Sequence, residues 1–472
     1  MQALRLTLIE ATFYERSVHL RLPFRFGIVT LTEAPQVFTH VRIRLADGRE
    51  ADGVAAELMV PKWFDKSPTL TNEDNFAQLR HALAIARTHM LAACAETAFG
   101  LSYSVDRPYR QACAAENLNG LIASFGLAQI ERAIIDALGR ILGEDVFTLV
   151  RGNYLGIDGS AADLEGFRFD DFLAGLKPAP SIAARHTVGL IDALTAADLD
   201  PSKRLNDGLP ETLEEVSAAY GHRYFKLKVS GQLDSDIERL RHIAAVLDEN
   251  VGSYVATLDA NEQFEHIDAI LELWRRIGED PRLARLKASI VLLEQPFARA
   301  QTWFHPVHAL SREVPVEIDE SDSDLGAFPR ARALGYRGIS AKSCKGFYRA
   351  LLNRARVAKW NADENSERYS MSAEDLTTQA GIAVQQDLAL AALIGATHVE
   401  RNGHHYVDGM AGVPEHEQQD FLAAHPELYH RSDGRLRLTL RGGMIALASL
   451  ARAPGLAVGV MPDFAAMNPV AV

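Results

Sequence analysis

The sequence predicts an α/β protein, a (β/α)8-type (TIM-like) barrel carrying an N-terminal α+β capping domain. Three observations predict it. Eight short apolar runs lie between residues 184 and 403, most of them separated by charged, helix-like stretches. The first 60 residues alternate as antiparallel strands do, and helical spacing then takes over. At 472 residues the chain also exceeds what one hydrophobic core usually supports.

In chain order, the run VFTHVRIRLADGREADGVAAEL sets Asp47-Gly48 between two alternating segments, a hairpin signal because Gly takes positive φ without steric cost. A helix begins near Thr71, with an N-cap offered by Asn72-Glu-Asp, and runs on to Thr97. Leu127, Ile130, Ile134, Ile135 and Leu138 recur at helical spacing and place a second helix over 120–142. Lys177-Pro-Ala-Pro180 reads as a junction. The eight candidate strands follow at 184–190, 223–229, 254–260, 289–295, 314–320, 337–343, 368–374 and 397–403. The expected domains are a cap over 1–178, a barrel over 179–430 and a tail over 431–472 that returns to the cap. An open doubly wound sheet is the alternative, but no GxGxxG follows the first strand.

The composition excludes several classes. Hydrophobic and charged fractions of 47% and 24% are those of an ordinary globular chain, which rules out disorder and coiled coil. A net charge of −13 opposes a general nucleic-acid or anionic-membrane surface, without excluding a small anion held by local lysines. Three cysteines without CxxC spacing offer neither a disulfide framework nor a zinc knuckle, and a reducing cytoplasm is the simple expectation. The N-terminal run is not a signal peptide, and the apolar stretch 443–461 is broken by Arg452 and Pro454.

The chemistry gathers at the C-terminal ends of the candidate strands. Residues i and i+2 of a strand face the same way, so Lys226 and Lys228 point together, and Asp259 and Asn261 repeat the spacing on the next strand. Glu294 ends the fourth strand, Asp319 and Glu320 the fifth, and Lys342 lies on the sixth. Alone, each is commonplace: a solvated lysine or a helix N-cap. Together they place ionisable groups at one end of five consecutive strands, where barrel enzymes keep active sites. Three carboxylates form a hard-oxygen site suited to Mg²⁺, with Mn²⁺ an acceptable substitute. Lysines flanking such a site could move protons, and Lys226 beside Lys228 is expected to lower its neighbour's pKa by like-charge repulsion. The metal would stabilise the enediolate left when a proton leaves the carbon α to a carboxylate.

The order KLK, LDAN, LLEQP, IDES and a lysine in AKSCKG resembles the enolase superfamily, in its muconate-lactonizing-enzyme-like branch (the mandelate racemase/muconate lactonizing enzyme family). FGLAQIERAIIDALGRILGEDVFTLVRG and LRLPFRFG extend the resemblance over most of the chain, and spacings of 25 residues from Glu294 to Asp319 and 23 from there to Lys342 agree with it. The resemblance implies Asp259, Glu294 and Asp319 as metal ligands, with Lys228 as base on one face of the substrate and Lys342 on the other. It implies that Lys226 contacts the substrate carboxylate and that Asn261 helps order the metal site. Glu320 rivals Asp319 as ligand, because adjacent residues face opposite ways. Glu374 matches a family acidic residue, with Asp375 competing and an N-cap reading open for either.

There are departures. RRIGEDPRLARLK lengthens the segment before the fourth strand, and THVERNGHHY lacks the DxD with which dipeptide-acting members hold an amino group. His404 and His405 could reach the pocket, with an exposed loop the commoner place for such histidines, and Cys344 reads as a small residue tolerated in the barrel. The loops at 22–33 and 57–67, with Arg25, Lys62, Trp63 and Lys66, are expected to cap the barrel and select the substrate. The expected activity is Mg²⁺-dependent abstraction of the proton α to the carboxylate of a small substrate, leading to racemisation or epimerisation. β-Elimination or cycloisomerisation on the same site is the alternative, and a non-catalytic anion-binding barrel the rival. Closed homo-oligomers are a general expectation.

Overall fold

In the computed structural model, which describes residues 3–26, 29–374, 379–402 and 405–471, β1 (Leu6–Phe26), β2 (Val29–Leu45) and β3 (Glu50–Leu58) form an antiparallel meander. Gly48 turns the β2–β3 hairpin at φ 89°, and Arg44 pairs with Glu50 across it. Three helices follow: α1 (Asn72–Ala92), α2 (Ala98–Ala115) and α3 (Gly120–Leu142). The cap of α1 is Thr71, not Asn72: its hydroxyl accepts from the Asp74 N–H, and the Asp74 carboxylate accepts from the Thr71 N–H. The chain breaks after Ala92, and Thr97 caps α2, a helix hidden from periodicity by Gly100 and Pro108 within it. Asn119 and the left-handed Gly143 bound α3.

The eight expected strands are present as β4 (Ser181–Val188), β5 (Tyr224–Lys228), β6 (Val255–Asp259), β7 (Ile290–Glu294), β8 (Val316–Ile318), β9 (Gly338–Ala341), β10 (Ser370–Ala373) and β11 (His398–Glu400). All run parallel in sequence order, and β11 pairs back onto β4, closing the barrel. Among the described residues α-helices fill every crossover but one; between β7 and β8 only the 3-10 turns Thr302–Phe304 and Leu310–Arg312 occur. Several strands end sooner than the apolar runs suggest. Asp319, Lys342 and Glu374 each stand just past the last paired residue, where the backbone turns out of the barrel.

The tail departs from expectation by serving both parts. After the hairpin β12 (Tyr429–Ser432) and β13 (Arg435–Leu438), β14 (Met444–Ala446) pairs antiparallel with barrel strand β4, and β15 (Asn468–Pro469) then joins β1. No helix among the described residues is long and apolar enough to cross a membrane.

Nearly every residue of α3 is buried because it lies between the cap sheet and the barrel. Its Asp136 accepts hydrogen bonds from Val54 of β3 (3.0 Å), Leu456 of the tail (2.9 Å) and Arg140 (2.8 Å). Arg132 pairs with Glu57 of β3 and donates to Gln386 of the helix before β11. β3 approaches α3 so closely that a Cβ at Gly53 would lie 2.2 Å from the Ala133 carbonyl oxygen. Gly53→Ala must therefore separate sheet and helix, and should lower stability by about 1–3 kcal/mol in urea unfolding.

A second consequence concerns acid. His186 and His222 are buried side by side, ring centroids 5.3 Å apart, and His222 Nδ1 lies 3.0 Å from the Ala184 carbonyl. Burial lowers His186 well below its ordinary value and brings His222 down to about 4. The unfolded chain takes protons on these rings below about pH 6.5, whereas the folded chain refuses them until lower pH. Stability should therefore be full above pH 6.5 and fall toward pH 4, by about 1.4 kcal/mol per pH unit for each ring. Unfolding midpoints measured across that range should decline less steeply in His222→Asn.

Candidate active site

Each site residue is set by a strand end. Lys226 and Lys228 share one side of β5, and β5 pairs in register with β6 so that Lys228 stands beside Asp259, which in turn stands beside Glu294 of β7. Lys226 Nζ lies 3.0 Å from Asp259, 2.9 Å from Glu294, 2.7 Å from both oxygens of Glu374 and 3.2 Å from Glu400. Among the described residues Lys228 donates only to Asp259. Across the barrel, Lys342 contacts Glu374 and lies 3.1 Å from Asp319. Lys345 holds the other Asp319 oxygen at 3.0 Å, and Arg185 of β4 donates to Glu374 at 2.7 Å.

The backbone beside Asp319 is positioned by Gln295 of the LLEQP run, whose side-chain oxygen accepts from the Asp319 and Ser321 N–H groups. Asp319 faces the cavity, while Glu320 turns to Asn261 Nδ2 (3.1 Å) and toward Lys66 (3.7 Å). Asn261 also donates its backbone N–H to Asp259 at 2.7 Å.

Burial works against every charge here, and the partners decide the outcome. Burial raises Asp259, but Lys226 and Lys228 outweigh it and hold the group below the carboxylate range. Lys226, Lys342 and Arg185 do the same for Glu374, and Lys342 and Lys345 for Asp319. Glu294 goes the other way: burial, Asp259 and Glu374 push it well above the carboxylate range despite Lys226. Burial also lifts Glu320, to about 7. For Lys228 the expectation from like charge is overturned. Burial and Lys226 do lower it, yet its contact with Asp259 prevails and raises it. Lys226 and Lys342 are raised well above the ordinary lysine value by their carboxylates.

The donor set fits a divalent cation. Oxygens of Glu294, Asp319 and Glu374 lie within 4.8 Å of one another, all buried, and Asp259 shares Lys226 with two of them. Asn261 Oδ1 and Glu320 Oε2 are buried nearby without a hydrogen-bond partner among the described residues. Hard oxygens without His or Cys suit Mg²⁺.

The structure also brings in residues that sequence reasoning passed over: Arg185, Lys345, Glu400 and Asn402. Glu400 and Asn402 both line the cavity. Asp375 and His404 lie outside the described residues. His405 is buried, not exposed, with its ring 5.3 Å from that of His186, and so does not line the cavity. Cys344 is buried in the turn Ser343–Lys345. Of the cap loops, Trp63 lies with its ring 5.5 Å from Lys342 Nζ, and Lys66 reaches down to the Asn261 carbonyl (3.1 Å). Lys62 turns back to Ser67 and Leu70, and Arg25 is exposed.

Replacing Lys226 by Met leaves four carboxylates short of their shared ammonium. Lys226→Met should lose about 3–5 kcal/mol in urea unfolding with chelator present. In the wild-type protein Mg²⁺ should raise the unfolding midpoint, and Asp319→Asn should shrink that rise.

No protein-family model matches the chain, and no curated protein does. Solved structures do. An enolase from Bradyrhizobium complexed with magnesium and mandelic acid is 17% identical, with 98% of this chain and 97% of that one covered at a TM-score of 0.60. Muconate lactonizing enzyme from Pseudomonas fluorescens, complexed with muconolactone, is 16% identical with 98% of each chain covered at 0.59. A dipeptide epimerase from Methylococcus capsulatus, complexed with Mg and L-Arg-D-Lys, is 19% identical with 93% and 99% covered at 0.52. The closed eight-stranded barrel and its antiparallel cap give this chain the fold of the enolase superfamily.

Proposed function

We propose that this chain is a Mg²⁺-dependent enzyme that removes the proton α to a substrate carboxylate and can return it on the opposite face, as a racemase or epimerase. One observation carries this reading. Lys228 at the end of β5 and Lys342 after β9 stand four strands apart in a ring of eight, on opposite sides of one cavity that both of them line. A planar, deprotonated carbon between them is open to a lysine on either face. The structures with magnesium, with mandelic acid and with a dipeptide support the same class of chemistry.

Glu294 and Asp319, with Asp259 or Glu374, would hold the cation. When bound it supplies positive charge to the substrate carboxylate and competes for the carboxylates that keep the lysines protonated. Lys228 and Lys342 then exchange protons with the α-carbon, one neutral and one charged at the start of each turnover. Lys226, fixed by four carboxylates, supplies positive charge to the substrate carboxylate. The cap sets an apolar wall of Leu20, Phe24, Leu31, Val60 and Trp63 over the cavity, and the lowered polarity strengthens each of these interactions.

In D2O, the Mg²⁺-loaded protein should place deuterium on the α-carbon of an accepted acid. Lys228→Ala and Lys342→Ala should each abolish exchange from one enantiomer, by roughly 10²–10⁴-fold, while leaving the other enantiomer exchangeable. Absence of exchange with every acid of a broad library, or exchange unaltered in both variants, would refute the two-lysine mechanism.

A further inference from the structure

The cavity has a second wall that proton transfer does not explain. Opposite the charged strand ends stand Leu20, Phe24, Leu31, Val60 and Trp63, all apolar and all from the cap. Together the two walls enclose a cavity of about 60 Å³. None of the charged cap residues nearby joins this wall: Lys62 donates to its own loop, and Lys66 is spent on Asn261 and Glu262.

The wall is also held in place. Arg299, paired with Glu262 at 2.8 Å, donates to the carbonyls of Trp63 (2.8 Å) and Phe64 (3.0 Å), and Asn119 donates to Phe64 as well. On the barrel side, the groups near the last strand are already engaged. Glu400 accepts from Thr187 and from Lys226, and Asn402 accepts from the Thr187 N–H at 2.7 Å. On the cap side an ammonium or a run of hydroxyls on the substituent would be buried against hydrocarbon, with no partner among the described residues of that wall.

We infer that the substituent on the reacting carbon is uncharged and apolar, an aryl or alkyl group seated against Leu20, Phe24 and Trp63. The inference rests on the proposed reaction only in placing the carboxylate toward the lysines. It makes the substrate a hydrophobic carboxylic acid, neither an α-amino acid nor a sugar acid.

Binding to the Mg²⁺-loaded protein, measured by calorimetry, tests this with matched pairs. 3-Phenylpropanoate against phenylalanine adds only an ammonium, and hexanoate against gluconate adds only hydroxyls. The apolar member should bind at least tenfold more tightly in each pair. Leu20→Lys should reverse a third preference, that for pentanoate over glutarate, by giving the second carboxylate a partner. Equal or tighter binding of phenylalanine or gluconate, failure of both apolar acids to bind at millimolar concentration, or an unaltered glutarate ratio in Leu20→Lys overturns the inference. Apolar preference without α-deuterium exchange would uphold it and defeat the reaction. Exchange confined to phenylalanine or gluconate would do the reverse.

Discussion

The ammonium of Lys226 sits among carboxylates from four different strands, and an ion so far from water costs several kcal/mol unless its partners converge on it. Closing eight parallel strands is what makes that convergence possible, since the inward positions of every strand end then meet in one ring. The remaining groups follow from it. Glu374 can stand deep in the ring because Lys226, Lys342 and Arg185 share it, and Asp319 because Lys342 and Lys345 do. Glu294, held by the same ammonium, stays raised by burial and by the neighbouring acids Asp259 and Glu374.

The cap is bound into the same array. Lys66 descends from the segment after β3 to the Asn261 carbonyl and Glu262, and Glu262 in turn holds the arginine that fixes the Trp63 carbonyl. The apolar wall of the cavity and its charged strand ends are therefore one connected structure. Both walls share a scaffold whose interior is α3, wedged between cap sheet and barrel.

Much of this was legible in the residues, because a strand end that carries KLK or LDAN announces its inward face through the period of two. The same rule reaches further than the lysines and acids first noticed. Arg185 and Thr187, Glu317 and Asp319, Ser372 and Glu374, and Glu400 and Asn402 obey it too, but short strands flanked by ordinary polar residues give no reason to single them out. Which of Asp319 and Glu320 faces the cavity could not be read from adjacency. It needed Gln295, which fixes the backbone of that turn, and Asn261 with Lys66, which draw Glu320 aside. Nor could residue types alone give the sign of the Lys228 shift, since the like charge was visible in the motif and the opposing Asp259 came from the neighbouring strand's register. Helix α2 escaped notice because Gly and Pro interrupt its pattern, and the double role of the tail because β14 is only three residues long.

That tail has a consequence for how the protein is made. The backbone N–H of Leu456 satisfies Asp136 at the centre of α3, Gly455 packs against the same carboxylate, and β15 covers the open edge of β1. These residues leave the ribosome only after the entire barrel has done so. The cap, though first in the sequence, must wait with a buried carboxylate short of one donor and a sheet edge exposed until the barrel is complete. The two parts thus mature together during synthesis, and a nascent chain stalled before residue 455 would carry an unfinished cap.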